Sequence, residues 1–309
     1  MAEQLYQRDV YGQTLVELGK QDKDIIVLDA DLSGSTRTAI FAKQFPERFF
    51  NFGVAEQNMM ATSAGLASCG KTVFVSTFAV FATGRAWDQV RNSVCYGDFD
   101  VKIVATHAGL TVGPDGATHQ ALEDIALMRV LPNMKIIVPC DGPQTREAVI
   151  AAAQNKGPFY VRLGRAKVPT IENKGEFKLG KAQVLSAGND LAIIACGIMV
   201  SEALAAVKNL SEKGIKARLI NMHTIRPLDT EAILKAAKET KAIIVCEEHT
   251  VVGGLASSVQ EVVAEQHPTT VICLGVKNRF GQSGEPAELL KEYNLTSVDI
   301  EKAALKILG

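Results

Sequence analysis

Several features that define other classes of protein are absent from this 309-residue sequence. The formal net charge is -1 and no run of lysine or arginine occurs, which argues against a nucleic-acid partner. The longest apolar runs are strand-sized, so no membrane segment is expected. No internal repeat or low-complexity tract is present. What remains is a chain that is 47% hydrophobic and 22% charged, long enough for two domains with their own cores.

The chain also lacks a signal peptide and any CxxC pair. The N-terminal stretch MAEQLYQRDV has no apolar segment of the kind that directs secretion. The six cysteines are scattered and lie mostly in apolar runs. We therefore expect reduced, structural thiols in a cytoplasmic protein.

Apolar runs alternate with amphipathic helical stretches over residues 1–167. Strands that are apolar throughout need burial on both faces, so the pattern predicts an α/β domain with a six-stranded, mainly parallel sheet covered by helices. The first predicted strand begins at 25, and the other five are 49–52, 72–76, 101–106, 135–139 and 159–163. The predicted helices are 10–18, 56–67, 79–96 and 120–129.

A polar, irregular stretch at 168–185 is predicted to be a linker. A second alternation of strands and helices follows, which predicts a smaller α/β domain at 186–309. The predicted strands are 191–196, 217–222, 242–247 and 271–276, and the predicted helices are 200–213, 229–239, 254–265 and 287–293.

Glu56 stands where a predicted strand gives way to a helix. It follows the apolar run 49–52 and Gly53, a turn residue, and it opens the helical pattern. Open parallel sheets bind ligands at the carboxyl ends of their strands, so this carboxylate is a candidate for chemistry. The alternative is an ordinary first-turn acid that complements the helix dipole.

A glycine-rich loop, HAGLTVGPDGATHQ, carries His107, Asp115 and His119. It lies between a predicted strand and a helix, where α/β folds place functional loops. The three side chains are therefore candidate functional groups. A zinc site is a rival interpretation, although no third ligand is spaced in a metal pattern.

The loop DADLSGST, after the first predicted strand, contains Asp31 and Ser35. Hydroxyl and backbone N–H groups ahead of a helix suit an anion such as phosphate, whereas the alternative for Ser35 is a helix N-cap. Arg165, just after the sixth predicted strand, falls at the same edge of the sheet. Its guanidinium favours the phosphate interpretation.

Phe78 and Phe81 follow the third predicted strand. Aromatic residues at a strand end are most often part of the core. If this edge of the sheet binds a ligand, the two rings would form a stacking face for a flat heterocycle.

Six blocks of sequence, spread over nearly the whole chain, carry a family resemblance. They are GVAEQNMMATSAGLA, STFAVFATGRAWDQVR, THAGLTVGPDGATHQALEDIALMRVLPNM, HTIRPLD, EEH and SGEPAELL. In this order and spacing they resemble the C-terminal half of transketolase, a family that depends on thiamine diphosphate. The half in question comprises the pyrimidine-binding domain and the C-terminal domain.

The resemblance implies how the cofactor is held. Glu56 would hydrogen-bond the aminopyrimidine ring and drive it to its imino tautomer, as a catalytic group. Phe81, with Phe78 beside it, would stack on that ring. Asp31 would lie at the substrate channel.

The resemblance also implies the substrate contacts and the reaction. His107, Asp115 and His119 would contact the sugar hydroxyls and the reacting carbonyl, with His119 as a proton shuttle. Ser35 and Arg165, with His107 nearby, would clamp the phosphate. The reaction would be transfer of a two-carbon ketol unit from a ketose phosphate to an aldose phosphate.

One family motif is missing. Thiamine enzymes bind the diphosphate through a divalent metal held by a GDG motif, and the nearest string here is PDG at 114–116, inside the substrate loop. We therefore expect no metal ligand in this chain and a metal such as Mg on a partner. Because the chain starts at Met1 and leads straight into the pyrimidine domain, we expect a naturally split subunit. It would act only with an N-terminal transketolase subunit that carries the diphosphate-binding domain, with two such pairs forming a heterotetramer.

Three alternatives stay open. A 2-oxoacid dehydrogenase beta subunit shares the two-domain layout and the AEQ carboxylate, but the paired histidines resemble transketolase. Half of a deoxyxylulose-phosphate synthase shares DGATHQ, but it would differ at His107 and carry histidine in place of Asn58. A non-catalytic homologue would have no physical need to keep Glu56, both histidines and Arg165.

Overall fold

The computed structural model describes residues 3–172 and 174–309, and its strands form three sheets within those ranges. The strands are β1 (Gln4–Tyr6), β2 (Ile25–Asp29), β3 (Phe49–Asn51), β4 (Thr72–Ser76), β5 (Val101–Ala105), β6 (Lys135–Ile137), β7 (Phe159–Arg162), β8 (Lys167–Pro169), β9 (Gln183–Ser186), β10 (Leu191–Ala195), β11 (Ala217–Asn221), β12 (Thr224–Arg226), β13 (Ile243–Thr250) and β14 (Val271–Val276). The α-helices are α1 (Gln7–Gln21), α2 (Ser33–Thr36), α3 (Ala39–Gln44), α4 (Glu56–Ser68), α5 (Trp87–Gln89), α6 (Asp124–Arg129), α7 (Gly142–Gln154), α8 (Met199–Glu212), α9 (Thr230–Glu239), α10 (Leu255–Gln266), α11 (Pro286–Glu292) and α12 (Ser297–Leu308).

The first large sheet has the strand order β12-β6-β7-β5-β4-β2-β3. All of its pairs are parallel except β12 with β6. Strands β2, β4 and β5 are buried at every residue, because helices cover both faces of the sheet. The predicted α/β class with a mainly parallel sheet is confirmed.

The number of strands in this sheet differs from the prediction. Six were predicted, but β12 adds a seventh, since Thr224 pairs with Ile137 across an antiparallel edge. This strand has only three residues and comes from the second half of the chain. A segment so short has too few positions to display a period, which is why the sequence did not reveal it.

The second large sheet has the order β14-β13-β10-β11-β9, with only β9 antiparallel to its neighbour. The predicted linker 168–185 is partly wrong, because β8 pairs with β1 at one end of it and β9 begins at Gln183. Asn173, also within the predicted linker, lies outside the described residues. We keep 1–167 and 186–309 as the proposed domains.

Two predicted helices are interrupted. The stretch 79–96 contains two π-helical turns, Phe81–Arg85 and Val90–Cys95, joined by the short α5. The predicted helix 120–129 begins only at Asp124, because Ala121 forms a bridge with Ala108 instead. Both departures lie at the edge of the sheet where the candidate residues cluster.

All six cysteines are free thiols, and four of them are buried. Burial raises the pKa of the Cys95 thiol to about 12, so this group is inert at neutral pH. Over the ranges the structure describes, none of the helices combines the length and the apolar character needed to cross a membrane.

Candidate active site

The carboxyl ends of five neighbouring parallel strands meet at one edge of the first sheet. The order β7-β5-β4-β2-β3 brings together the segments that carry Arg165, His107, Phe78, Asp31 and Glu56, in that order. Ligands of open α/β sheets bind at this edge, because the loops there can vary without disturbing the sheet. The sequence interpretation placed these residues at strand ends, and the sheet order makes them neighbours.

Glu56 is the first residue of α4 and is 1% exposed. Its two carboxylate oxygens accept hydrogen bonds from Nη1 of Arg85 at 2.8 and 2.9 Å. The Arg85 side chain is 47% exposed, so a buried carboxylate is paired with a half-exposed guanidinium. The sequence interpretation missed Arg85, although it lies in the same block as Phe81.

Arg85 also stacks on an aromatic ring. Its guanidinium carbon lies 4.6 Å from the centroid of the Phe81 ring, a cation–π distance. Phe81 begins, and Arg85 ends, a π-helical turn, a rare conformation that is frequent at functional sites. A planar, hydrogen-bonding cation therefore bridges the two residues that the family resemblance assigns to the cofactor ring.

Four of the predicted residues form one aromatic cluster. The rings of Phe78 and Phe81 are 6.1 Å apart and nearly parallel, and His107 stacks on Phe78 at 3.8 Å. His119 presents an edge to Phe78 at 6.3 Å and to Phe81 at 5.5 Å. Both histidines thus lie beside the stacking face near Glu56.

His107 is buried and conformationally strained. Its φ is 59°, in the left-handed region, and its Nδ1 lies 2.9 Å from Oγ1 of Thr106. Burial, and then the positive charges of Arg8 and Arg165, lower the pKa of His107 to about 3. Asp31 also has a left-handed φ, 64°. Such strain costs about 1–3 kcal/mol per residue and clusters at functional sites.

The low pKa of His107 predicts that its ring stays neutral at physiological pH. The free imidazole titrates near 6.5, so the native state resists the proton. The contribution of His107 to stability is intact above pH 6.5 and is lost as the pH falls from there toward 3. The side-chain NMR signals of this ring, assigned with a His107→Gln variant, should not shift between pH 8 and 5. A titration midpoint near 6.5 would contradict the prediction.

Arg8 and Arg165 lie near His107, and a third arginine, Arg37, lies near Arg8. Nη1 of Arg8 lies 3.4 Å from the backbone carbonyl of Ser35, and Nη1 of Arg165 donates to the carbonyl of Val112 at 2.9 Å. Burial and the charges of Arg37 and Arg165 lower the pKa of Arg8. The Arg8 Nε is buried and has no hydrogen-bond partner among the described residues. This surplus of positive charge suits an anion.

Arg8 was another residue that the sequence interpretation missed. It lies in the first turn of α1, far in sequence from the strand ends, and no motif marks it. Only the tertiary fold brings it to Ser35 and Arg165.

The two acidic candidates differ in their surroundings. Asp31 contacts Asn51 at the end of β3, since its backbone N–H donates to Oδ1 of Asn51 at 3.1 Å. Asp115 is exposed at the end of the 3-10 turn Leu110–Asp115. In the part of the chain that the structure describes, its carboxylate makes no ion pair with either histidine.

Within residues 3–172 and 174–309, no group of three or more histidine, cysteine, aspartate or glutamate side chains could hold a metal ion. The zinc interpretation of His107 and His119 therefore finds no ligand set there.

Two models of known protein families match the chain. The model of the transketolase pyrimidine binding domain matches residues 3–170, and that of the transketolase C-terminal domain matches residues 180–300. The chain belongs to the transketolase family.

Relatives of comparable length are themselves parts of transketolases. The "Putative transketolase C-terminal section" of Methanocaldococcus jannaschii is 50% identical over 303 residues, covering 97% of this chain and 95% of the relative. A subunit of the apulose-4-phosphate transketolase of Phocaeicola vulgatus is 43% identical over 303 residues, covering 97% of each. A solved structure described as a split gene transketolase, inactive beta4 tetramer, superposes with a TM-score of 0.91 at 50% identity and covers 98% of both chains. The chain thus corresponds to the C-terminal half of transketolase.

Proposed function

We propose that this chain is the C-terminal subunit of a thiamine diphosphate-dependent transketolase that transfers a two-carbon ketol unit from a ketose phosphate to an aldose phosphate. The observation that carries the proposal is the meeting of a buried carboxylate, Glu56, with two stacked phenylalanines and two histidines at one sheet edge. A buried acid beside an aromatic face suits a flat ring that carries hydrogen-bonding nitrogens.

The residues fit the pyrimidine end of the cofactor. The guanidinium of Arg85 is flat and donates hydrogen bonds, and it contacts both Glu56 and the Phe81 ring. An aminopyrimidine is also planar, and once Arg85 moves aside it could stack on Phe81 while its ring nitrogen accepts a hydrogen bond from the protonated Glu56 carboxyl. When bound, thiamine diphosphate supplies the group that stabilises a carbanion during ketol transfer.

Another chain would bind the diphosphate end of the cofactor. Because the sequence has no GDG motif, an N-terminal subunit would hold the diphosphate and a divalent metal such as Mg. Two copies of each subunit would then form a heterotetramer.

Each site residue of this chain has a proposed role. Glu56 holds a proton at the pyrimidine ring nitrogen. His107, kept neutral by burial, can donate a hydrogen bond to one substrate oxygen while Thr106 contacts its other nitrogen. His119 moves protons at the reacting carbonyl. Asp31 and Asp115 bind sugar hydroxyls at the channel.

The arginine group would clamp the phosphate of the sugar. Arg8 and Arg165 supply positive charge and N–H donors beside Ser35, and the buried Arg8 Nε has a free donor. Arg37 contributes less, because it is already paired with Asp9. Guanidinium groups are well matched to phosphate oxygens.

Replacing Arg165 with alanine should raise the Michaelis constant for phosphorylated sugars roughly 10- to 100-fold, the effect of losing a charge-assisted hydrogen bond of about 1.5–3 kcal/mol. The turnover number should change little, since the phosphate lies far from the reacting carbonyl. Steady-state kinetics of the reconstituted enzyme with phosphorylated and non-phosphorylated acceptors measures this. The exposed Lys167, two residues away, gives the control Lys167→Ala. Equal effects on both classes of acceptor would remove Arg165 from the clamp.

Reconstitution tests the function itself. The purified chain is assayed for ketol transfer alone and with a candidate N-terminal subunit that carries the GDG motif, in the presence of thiamine diphosphate and Mg²⁺. Transfer only in the mixture supports the proposal, and activity of the lone chain overturns the split-subunit part. A mixture that condenses or oxidises pyruvate, but transfers no ketol, would favour half of another thiamine enzyme.

A further inference from the structure

The loop that carries His107 and His119 is anchored in the second half of the chain. The side chains of Leu110 and Leu122 are fully or almost fully buried in the apolar cluster that also contains Leu289 and Leu290 of α11. The loop therefore shares a core with the second sheet, although it starts at the end of β5 in the first sheet and leads into α6.

Glu248, on β13, contacts the middle of this loop. Its carboxylate is buried and accepts a hydrogen bond from the backbone N–H of Thr111. It also lies flat against Gly109, where an added Cβ would stand 2.3–2.6 Å from the carboxyl carbon and both oxygens. Gly109 has a φ of 84°. Both the conformation and the close approach thus require glycine here.

A second attachment comes from the segment that precedes α11. The side-chain nitrogen of Gln120 donates to the carbonyl of Leu110 at 3.0 Å and to that of Gln282 at 2.9 Å. An added Cβ on Gly116 would stand 2.5 Å from Oγ of Ser283. The loop is therefore held by the second half of the chain near both histidines.

We propose that Glu248 is a positioning residue: by fixing the backbone at Thr111, it sets where His107 and His119 stand relative to the substrate. The inference rests on the proposed function, and it assigns to the C-terminal domain the task of shaping the histidine loop. A misplacement of about 1 Å in a catalytic group can lower a rate roughly 100-fold, so such a support has a measurable effect.

The neighbouring residue offers a matched control. Glu247 is also buried on β13, but its carboxylate accepts hydrogen bonds from the N–H groups of Leu255 and Ala256 at 2.7 and 2.8 Å. It holds the start of α10 within its own domain and, in the ranges described, has no hydrogen bond to the histidine loop. Two adjacent buried acids thus bind different segments: Glu248 the histidine loop and Glu247 the start of α10.

The test compares Glu248→Ala, Glu248→Gln and Glu247→Ala in the full chain. Hydrogen exchange of the backbone amides at 108–112 should accelerate about tenfold in Glu248→Ala, the effect of one lost hydrogen bond. The NMR signals of the His107 and His119 rings should shift. Glu248→Gln, which retains an acceptor oxygen, should restore most of both signals. Glu247→Ala should lower the melting temperature and leave loop exchange and both rings unchanged.

The same variants are then assayed with the N-terminal subunit. Glu248→Ala should lower kcat/KM roughly 10- to 100-fold, mainly through kcat, whereas Glu247→Ala should not. If both alanine variants change loop exchange and kinetics alike, Glu248 has only a structural role and the inference is overturned. If Glu248→Ala does not fold, Gly109→Ala perturbs the same contact from the loop side, and an unchanged loop in that variant overturns it too.

The exchange and NMR measurements need neither the partner nor the cofactor. A missing ketol-transfer activity would therefore count against the proposed function and leave the loop measurements valid. Normal loop exchange in Glu248→Ala, with full activity in the reconstituted enzyme, would count against the inference alone.

Discussion

Replacing Glu56 with glutamine should lower ketol transfer by the reconstituted enzyme about 10²- to 10⁴-fold, the range typical of losing a positioned acid–base group. Glutamine keeps the size of the side chain and can still hydrogen-bond, but it cannot hold the proton that Glu56 is proposed to manage. Because Glu56 is buried at the start of α4, its geometry should survive the change. The measurement is the turnover number at saturating cofactor and sugar phosphates.

An exposed acid controls for the loss of charge. Glu47 lies on the 3-10 turn before β3, and its side chain is 66% exposed. Glu47→Gln should leave turnover unchanged. Near-normal activity of Glu56→Gln would show that this carboxylate does not activate the cofactor, and the proposed mechanism would then fail at its first residue.

Removal of Asp124 should have the largest effect on stability. Its buried carboxylate accepts hydrogen bonds from the Tyr160 hydroxyl at 2.6 Å and from Nε of Arg162 at 2.7 Å. Asp124→Ala would leave the Arg162 cation buried without its anion, which typically costs about 3–5 kcal/mol. The free energy of unfolding from urea titration at pH 7 measures this loss.

The charge interaction between Asp124 and Arg162 determines how the loss of unfolding free energy in Asp124→Ala depends on pH. Burial alone would raise the pKa of Asp124, but the interactions with Arg162 and His249 outweigh it, so the pKa is lowered. A carboxylate with a lowered pKa stabilises the native state above its unfolded value, near 3.9, and that stabilisation disappears as the pH falls. The difference between wild type and Asp124→Ala should therefore be largest at neutral pH.

An exposed ion pair provides the comparison. Lys71 and Asp24 are 2.6 Å apart, and the Asp24 side chain is 62% exposed. Asp24→Ala should cost less than about 1 kcal/mol, as surface pairs do. If Asp124→Ala cost no more than this, the buried cluster would not depend on its charge.

The fold was predictable where burial leaves a mark on the sequence. Strands β2, β4 and β5 are buried at every residue, so each appears as an uninterrupted apolar run that no surface strand would tolerate. The π-helical turns could not be predicted in this way. The hydrophobic period of 3.6 residues assumes an α-helix and does not reveal a turn that contains an extra residue. The late start of α6 has a tertiary cause, since the bridge between Ala108 and Ala121 competes for the same backbone.

The candidate site was predictable where its residues follow closely after apolar strands. Glu56, Phe78 and His107 all have this position, and the sheet topology alone suffices to bring them to one edge. Arg8 and Glu248 do not have it. Arg8 lies on a helix at the start of the chain and Glu248 lies within a strand of the other sheet, so only the packing of distant elements reveals their proximity to the histidine loop.

Strand β12 has a practical consequence for anyone who wishes to study the two halves separately. A fragment ending near Ser186 would lose β12 and leave β6 as an open edge, whose unpaired N–H and C=O groups can recruit strands from other molecules. It would also expose apolar side chains of the first sheet that pack in one cluster with Met222 and Ile225. The sheet that carries the candidate site is thus completed by a segment that is synthesised after all of its other strands, and its edge at β6 stays open until β12 has been made.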